Sequence, residues 1–180
     1  MQAVRQKLAQ AGHNLWASLP LDSLSSRTRQ LLVDSHAEAE DYEYLLLLGS
    51  HGKRYWEAAQ PLPVNDLHPI DQYVCGEIRK HLAAVDYRIL YPGDHLLPLT
   101  DLGRLAGWHN TSPLGLGIHP KHGLWFAYRA LLLANAVNLE TELGTGAARP
   151  CESCSAQPCI AACPAGAVAV DLRFILTHIW

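Results

Sequence analysis

Charge is what this sequence has least of. Asp, Glu, Lys and Arg make up 17% of the 180 residues, against 49% apolar residues. An ordinary soluble domain carries about 25% charged residues. So thin a charged surface implies a covered face: a bound cofactor, a redox partner protein, a second copy of the chain, or a missing piece of protein. Basic clustering is also absent. Fourteen Lys and Arg lie scattered among seventeen Asp and Glu, for a net charge of −3, so nucleic acid finds no electrostatic footprint. Long hydrophobic runs are lacking. The longest, residues 45–48 and 130–134, fall far short of the roughly 20 residues that a membrane span needs. The opening MQAVRQKLAQ is too polar for the apolar stretch of a secretory signal. Together these point to the cytoplasm. There is no internal repeat and no low-complexity segment. The length suits one domain, or one domain with a small appendage.

Several elements are legible in what remains. Residues 1–13 predict a helix with Val4, Leu8 and Ala11 on one face. Residues 14–20 read as a short strand or loop, and a helix follows over 24–32 with Ser25 or Ser26 near its cap. Residues 38–43 form an acidic, solvated patch. The stretch YEYLLLLGS, residues 42–50, predicts a strand covered on both faces, since its four consecutive leucines leave no polar side, with a short helix as the alternative. Residues 51–68 read as a loop broken by Pro61 and Pro63. Pro69 opens a helix whose Ile70, Val74, Ile78 and Leu82 recur every four residues. Cys75 beside that stripe reads as a buried, inert thiol. Strands are predicted at 87–91 and 125–136, with a helix at 97–105 between them. The Gly- and Pro-rich residues 107–123 predict extended backbone with tight turns. Residues 138–150 read as a polar connection, and 167–179 as a last apolar stretch. This alternation predicts an α+β or mixed α/β layered fold.

Four of the five cysteines crowd into thirteen positions: Cys151-x2-Cys154-x4-Cys159-x3-Cys163-Pro164. That is ligand spacing rather than the disulfide framework of a secreted protein. Four soft thiolates favour zinc or an iron–sulfur cluster. The bacterial ferredoxin run is C-x2-C-x2-C-x3-C-P. This chain keeps its opening and its closing, and widens only the middle spacing. Small residues around the ligands (Ser153, Ser155, Ala161, Ala162, Ala165, Gly166) let backbone N–H groups approach the sulfurs. A [4Fe–4S] cluster on Cys151, Cys154, Cys159 and Cys163 is the leading reading, and structural zinc is the competitor. In two-cluster ferredoxins the fourth cysteine of such a run serves the other cluster, and no further cysteine follows Cys163 here. One cluster alone, a fragment of a longer protein, or an empty site are the three ways to read that. The apolar ending FILTHIW suits a truncated or altered segment.

Residues 117–129, GIHPKHGLWFAYR, read on their own as a turn leading into a strand, with Arg129 obliged to find an anion or water. The segment resembles the epoxyqueuosine reductases and the vitamin B12 processing protein that removes the upper ligand of cobalamin. Both carry His-Pro-x-x-Gly-x-Trp-Phe. His119, Pro120, Gly123, Trp125, Phe126, Ala127 and Arg129 match the longer form found in the B12 protein. The similarity extends upstream through HPIDQYVCGEIRKHL and Ala106-Gly107, and covers roughly residues 65–170. Epoxyqueuosine reductases also place a cysteine-rich module directly after this domain.

The resemblance implies a nitroreductase-like α+β fold, with a mixed sheet flanked by helices over residues 1–148 and a ferredoxin-type segment over 149–180. It implies cobalamin as a second cofactor, with residues 107–120 meeting the corrin. Gly107, Trp108, Gly115, Gly117, His119, Pro120, Gly123, Trp125 and Arg129 are then the cofactor-binding candidates, with His119 or Arg129 at the polar edge of the macrocycle. Asp94 and His119 are the catalytic candidates, and His95 and His109 could also handle protons. Asp94 equally fits a plain turn residue in Pro92-Gly93-Asp94. The chain lacks the Lys-Asn pair of the family's Gly-rich stretch and can build at most one cluster. Three functions follow: a cobalamin-linked iron–sulfur redox protein, a non-enzymatic ferredoxin-like carrier or accessory protein, and a structural zinc protein.

Overall fold

The computed structural model describes residues 1–60, 62, 67–135 and 149–168. In chain order its elements are α1 (Gln2–Gln10), β1 (Leu15–Pro20), α2 (Ser26–Ser35), β2 (Tyr44–His51), α3 (Arg54–Ala59), α4 (Pro69–His81), β3 (Tyr87–Tyr91), α5 (Leu99–Leu105), β4 (Asn110–Thr111), β5 (Gly117–Ile118), β6 (Phe126–Ala134) and α6 (Pro158–Ala161). Short 3-10 turns occupy Leu21–Ser23 and Ala37–Asp41.

The main sheet has the order β1-β2-β6-β3, and each neighbouring pair is antiparallel. This corrects the mixed sheet expected from the sequence. β2 and β3 do run the same way, joined through α3 and α4, but β6 inserts between them and pairs antiparallel with both.

Both faces of the sheet are covered. Leu45, Leu47, Leu131 and Leu133 pack with Leu32 of α2 and Leu102 of α5. Leu46, Leu48, Ala130 and Leu132 pack with Leu8 of α1 and with Val74 and Ile78 of α4. All four β2 leucines have no exposed surface. Burying each contributes about 1.5–3 kcal/mol, so the central strands anchor the fold.

Local signals explain the helix ends. Ser25 caps α2, its Oγ accepting the Thr28 N–H at 3.2 Å. Pro69 occupies the first turn of α4, and Arg79, Lys80 and His81 lie in its last turn, where cations complement the helix dipole. Two expectations change. The stretch read as a loop from residue 51 contains α3, which forms because Tyr55 and Ala59 are buried and Lys53 pairs with Glu57 one turn on. The acidic patch is a 3-10 turn that buries Ala39 and ties Glu38 to Arg88 at 2.7 Å. Residues 136–148 and 169–180 lie outside the described residues, with the polar connection and most of the last apolar stretch. Among the described residues, no helix is long and apolar enough to cross a membrane.

Candidate functional site

The Gly-rich crossing begins where α5 stops. The N–H groups of Trp108 and His109 both donate to the Gly103 carbonyl, at 2.8 and 3.2 Å, and Gly107 turns the chain with φ +71°. Trp108 is buried over Gly49 of β2, where no Cβ intervenes. Beyond it the backbone forms a small β4–β5 hairpin, Asn110 opposite Ile118 and Thr111 opposite Gly117. Its loop is closed by Ser112 Oγ donating to the Leu116 carbonyl at 2.7 Å, with Gly115 at φ +72°.

Residues 119–123 then form a closed turn. The N–H of His119 donates to the Gly123 carbonyl, and that of Gly123 returns to His119, both at 2.9 Å. His119 Nδ1 accepts the N–H groups of Lys121 at 3.1 Å and His122 at 3.3 Å. That fixes the neutral ring with its proton on Nε2. Burial, then His122, lowers its pKa to about 4. His119 thus organises the turn, and Pro120 sits half-buried within it. The His122 ring stacks on His51 at 3.6 Å. His51 is clamped by Asn14, which accepts its N–H at 2.8 Å and donates to its carbonyl at 3.2 Å. These imidazoles lie face to face rather than converging. Among the described residues, no three His, Cys, Asp or Glu side chains are gathered as a metal site, the four cysteines of 151–163 included.

Beside the hairpin lies a cleft of about 230 Å³. Leu116, Leu124 and Phe126 line it together with Gly117 and Ala127, and its two polar groups are His109 and Tyr128. The Tyr128 hydroxyl lies 3.2 Å from His109 Nδ1. Burial raises the Tyr128 pKa to about 12. Burial, then Arg104, lowers that of His109. At neutral pH both are uncharged. Leu116 and Leu124 are exposed by 58% and 49%, which makes an apolar rim; the neighbouring Trp125 is exposed by 79%.

Other candidates stand apart. Arg129 is the extra residue of a bulge in β6, where Leu48 faces Ala130 and Gly49 faces Tyr128. Its Nε donates to Ser50 Oγ at 2.7 Å, and its guanidinium lies 4.0 Å from the centre of the Tyr55 ring. The anion or water asked for by the sequence is replaced by a hydroxyl and an aromatic face. Asp94 is exposed in the bend after Pro92 and makes no hydrogen bond or ion pair among the described residues. His95 packs edge-on to His36 at 4.6 Å. Burial raises the Cys75 pKa, in keeping with an inert thiol.

The cysteine segment is a chain of turns around the short α6. All five cysteines are free thiols, and none is fully buried. Gln157 adopts φ +40°, a left-handed conformation uncommon outside glycine, between Cys154 and Cys159. Burial, then the neighbouring Cys159 and Cys154, raises the Cys151 pKa. Backbone N–H groups of Val168, Ala167, Ala165 and Gly166 reach Cys163 and lower its pKa, which stabilises its thiolate relative to an ordinary cysteine.

A four-stranded antiparallel sheet between two helical layers defines an α+β protein. Within that class the chain is similar to the solved structure of epoxyqueuosine reductase from Streptococcus thermophilus, with a TM-score of 0.53 and 14% identity over 93% of this chain. The likeness is one of fold. The chain spans about half of that protein, which it covers over 53% of its length. No family model matches the sequence, and no curated protein does.

Of the candidate residues, the structure places Gly117 at the cleft, with Trp108 packed 6.4 Å from Tyr128, and leaves Trp125 exposed. It keeps Arg129 and the cysteines in other settings. Tyr128, His51 and Asn14 went unnoticed in the sequence. Their partners are 19 and 37 residues away, and nothing in the local pattern joins them.

Proposed function

We propose that this chain is an iron–sulfur redox protein of the epoxyqueuosine-reductase fold, nitroreductase-like in build and cytoplasmic. Cys151, Cys154, Cys159 and Cys163 would hold one [4Fe–4S] cluster. The observation that carries the reading is the cysteine segment itself: four soft donors within thirteen residues, with backbone N–H groups aimed at Cys163. Such N–H groups stabilise thiolate and tune a cluster's potential. When bound, the cluster supplies single-electron transfer. The chain's own residues lower the Cys163 pKa and, on the 107–129 segment, present an acceptor face.

That face is the 107–129 segment, and the acceptor in this reading is a corrin, as in the B12 processing protein, or a partner protein. The exposed Leu116, Leu124 and Trp125 suit a flat apolar surface laid across them. His119 and Arg129 support the face from behind: one is spent on the turn, the other on Ser50 and Tyr55. Asp94, exposed and unpaired among the described residues, stays beside His95 and His109 as a proton-handling candidate in this reading. Anaerobic purification followed by iron, sulfide, zinc and cobalt counts tests the cluster. About four iron and four sulfide per chain are expected; one zinc without sulfide makes the site structural. Titration with cobalamin, followed by its visible spectrum, tests the acceptor: an unchanged spectrum removes the corrin and leaves a carrier.

A further inference from the structure

We propose that the cleft beside β5 is a subsite for a small, flat, uncharged molecule that presents one amide or carbonyl group to the Tyr128–His109 pair. The proposal deepens, and rests on, the reading of residues 107–129 as the acceptor face.

Size comes first. At about 230 Å³ the cleft is smaller than the roughly 300–1,000 Å³ of sites for drug-sized ligands. A corrin cannot enter it, whereas a molecule of one ring can. Charge comes next. No Lys, Arg, Asp or Glu is among its described lining residues, and the nearby Arg104 is held by Asp101. An ionised ligand would leave water without a counter-charge. The cleft beside α2 differs: Asp22, Arg29 and Glu40 line its 220 Å³.

The polar handle is adaptable. With the imidazole proton on Nδ1, His109 donates to the phenol oxygen and the Tyr128 O–H is left to donate to a carbonyl. With the proton on Nε2, Tyr128 donates to His109 and its oxygen accepts from an amide N–H. The pair is also built in. A Cβ on Gly103 would strike the Tyr128 hydroxyl, and one on Gly117 would strike His109 Nδ1. Two glycines therefore make room for the Tyr128 hydroxyl and the His109 ring to meet. The exposed Leu116 and Leu124 form a rim that such a ring would cover.

The test is a ligand-observed NMR titration of the full chain with benzamide and benzoate. Benzamide should bind with a Kd on the order of 1 mM, and benzoate about tenfold more weakly. Tyr128→Phe, which keeps the ring, should weaken benzamide about fivefold. Leu124→Asn, at a half-exposed position that folding does not depend on, should weaken it as well. Benzamide that fails to bind the folded chain, binds no better than benzoate, or binds both variants undiminished overturns the proposal. Iron and sulfide counts on the same preparation read the cluster separately, so a failed cluster and a failed subsite give different results.

Discussion

Leu46 and Leu131 are sealed between two helical layers, whereas no residue of the described segment 149–168 is fully buried. One region owes its shape to apolar surface removed from water. The other has turns, a four-residue helix and four thiols, and too little apolar contact to fix them. In small metal-binding segments the ligand bonds supply the folding energy that a core would otherwise supply. The comparison therefore divides the molecule into a part held together by its own core and a part that has none.

The sharpest way to break that division is a core deletion. Leu47→Ala should destabilise the protein by about 2–5 kcal/mol in urea unfolding, without changing the metal content of chains that remain folded. Acid comes second. His13 is 1% exposed, with neither ring nitrogen hydrogen-bonded among the described residues. Burial, opposed by Glu77, takes its pKa from 6.5 to about 4. The unfolded chain binds that proton below pH 6.5 and the folded chain does not. Stability is thus complete above pH 6.5 and falls as the pH drops towards 4, by about 1.4 kcal/mol per pH unit and about 3 kcal/mol in all. His119 acts in the same direction. Urea titrations between pH 7.5 and 4.5 should show the slope, and His13→Gln should reduce it, leaving the part that His119 contributes. Third, Ser25→Ala removes the α2 cap and should cost about 1 kcal/mol, read as a lower melting temperature. Smallest is the effect of Cys159→Ser on the core. It should abolish iron binding and speed proteolysis within 149–168, yet shift urea unfolding by less than about 0.5 kcal/mol. A shift as large as that of Leu47→Ala would make the two regions one cooperative unit.

Where the sequence was readable, a single strand or helix carried its own signal. Four consecutive leucines suited a strand buried on both faces better than the short helix they also allowed, and β2 is that strand; the spacing of Val74, Ile78 and Leu82 defined the inner side of α4. Ile70, counted in the same stripe, is 38% exposed, because the first turn of α4 lies at the edge of the packed face. Ser25 is the helix cap that its position suggested. What could not be read is what depends on distant partners. The place of β6 between β2 and β3 is set by packing on both sides of the sheet, and no residue within β6 announces it. α3 is too short for periodicity to register. The cysteines were conspicuous from spacing alone, but the cleft was not. Tyr128 looked like one more residue of an apolar strand until the fold brought His109 beside it.

The bulge at Arg129 has a consequence in parity. Along the inner half of β6, the even-numbered residues Ala130, Leu132 and Ala134 face α1 and α4. Past the extra residue, the even-numbered Tyr128 and Phe126 pack instead against the α2 and α5 cluster. One inserted residue inverts the phase of the strand. The same unbroken segment can then close the hydrophobic core at one end and, at the other, hand its two aromatic rings to the opposite face, where the cleft opens. Deleting one residue there would leave the composition of the strand almost unchanged and send both rings to the wrong side.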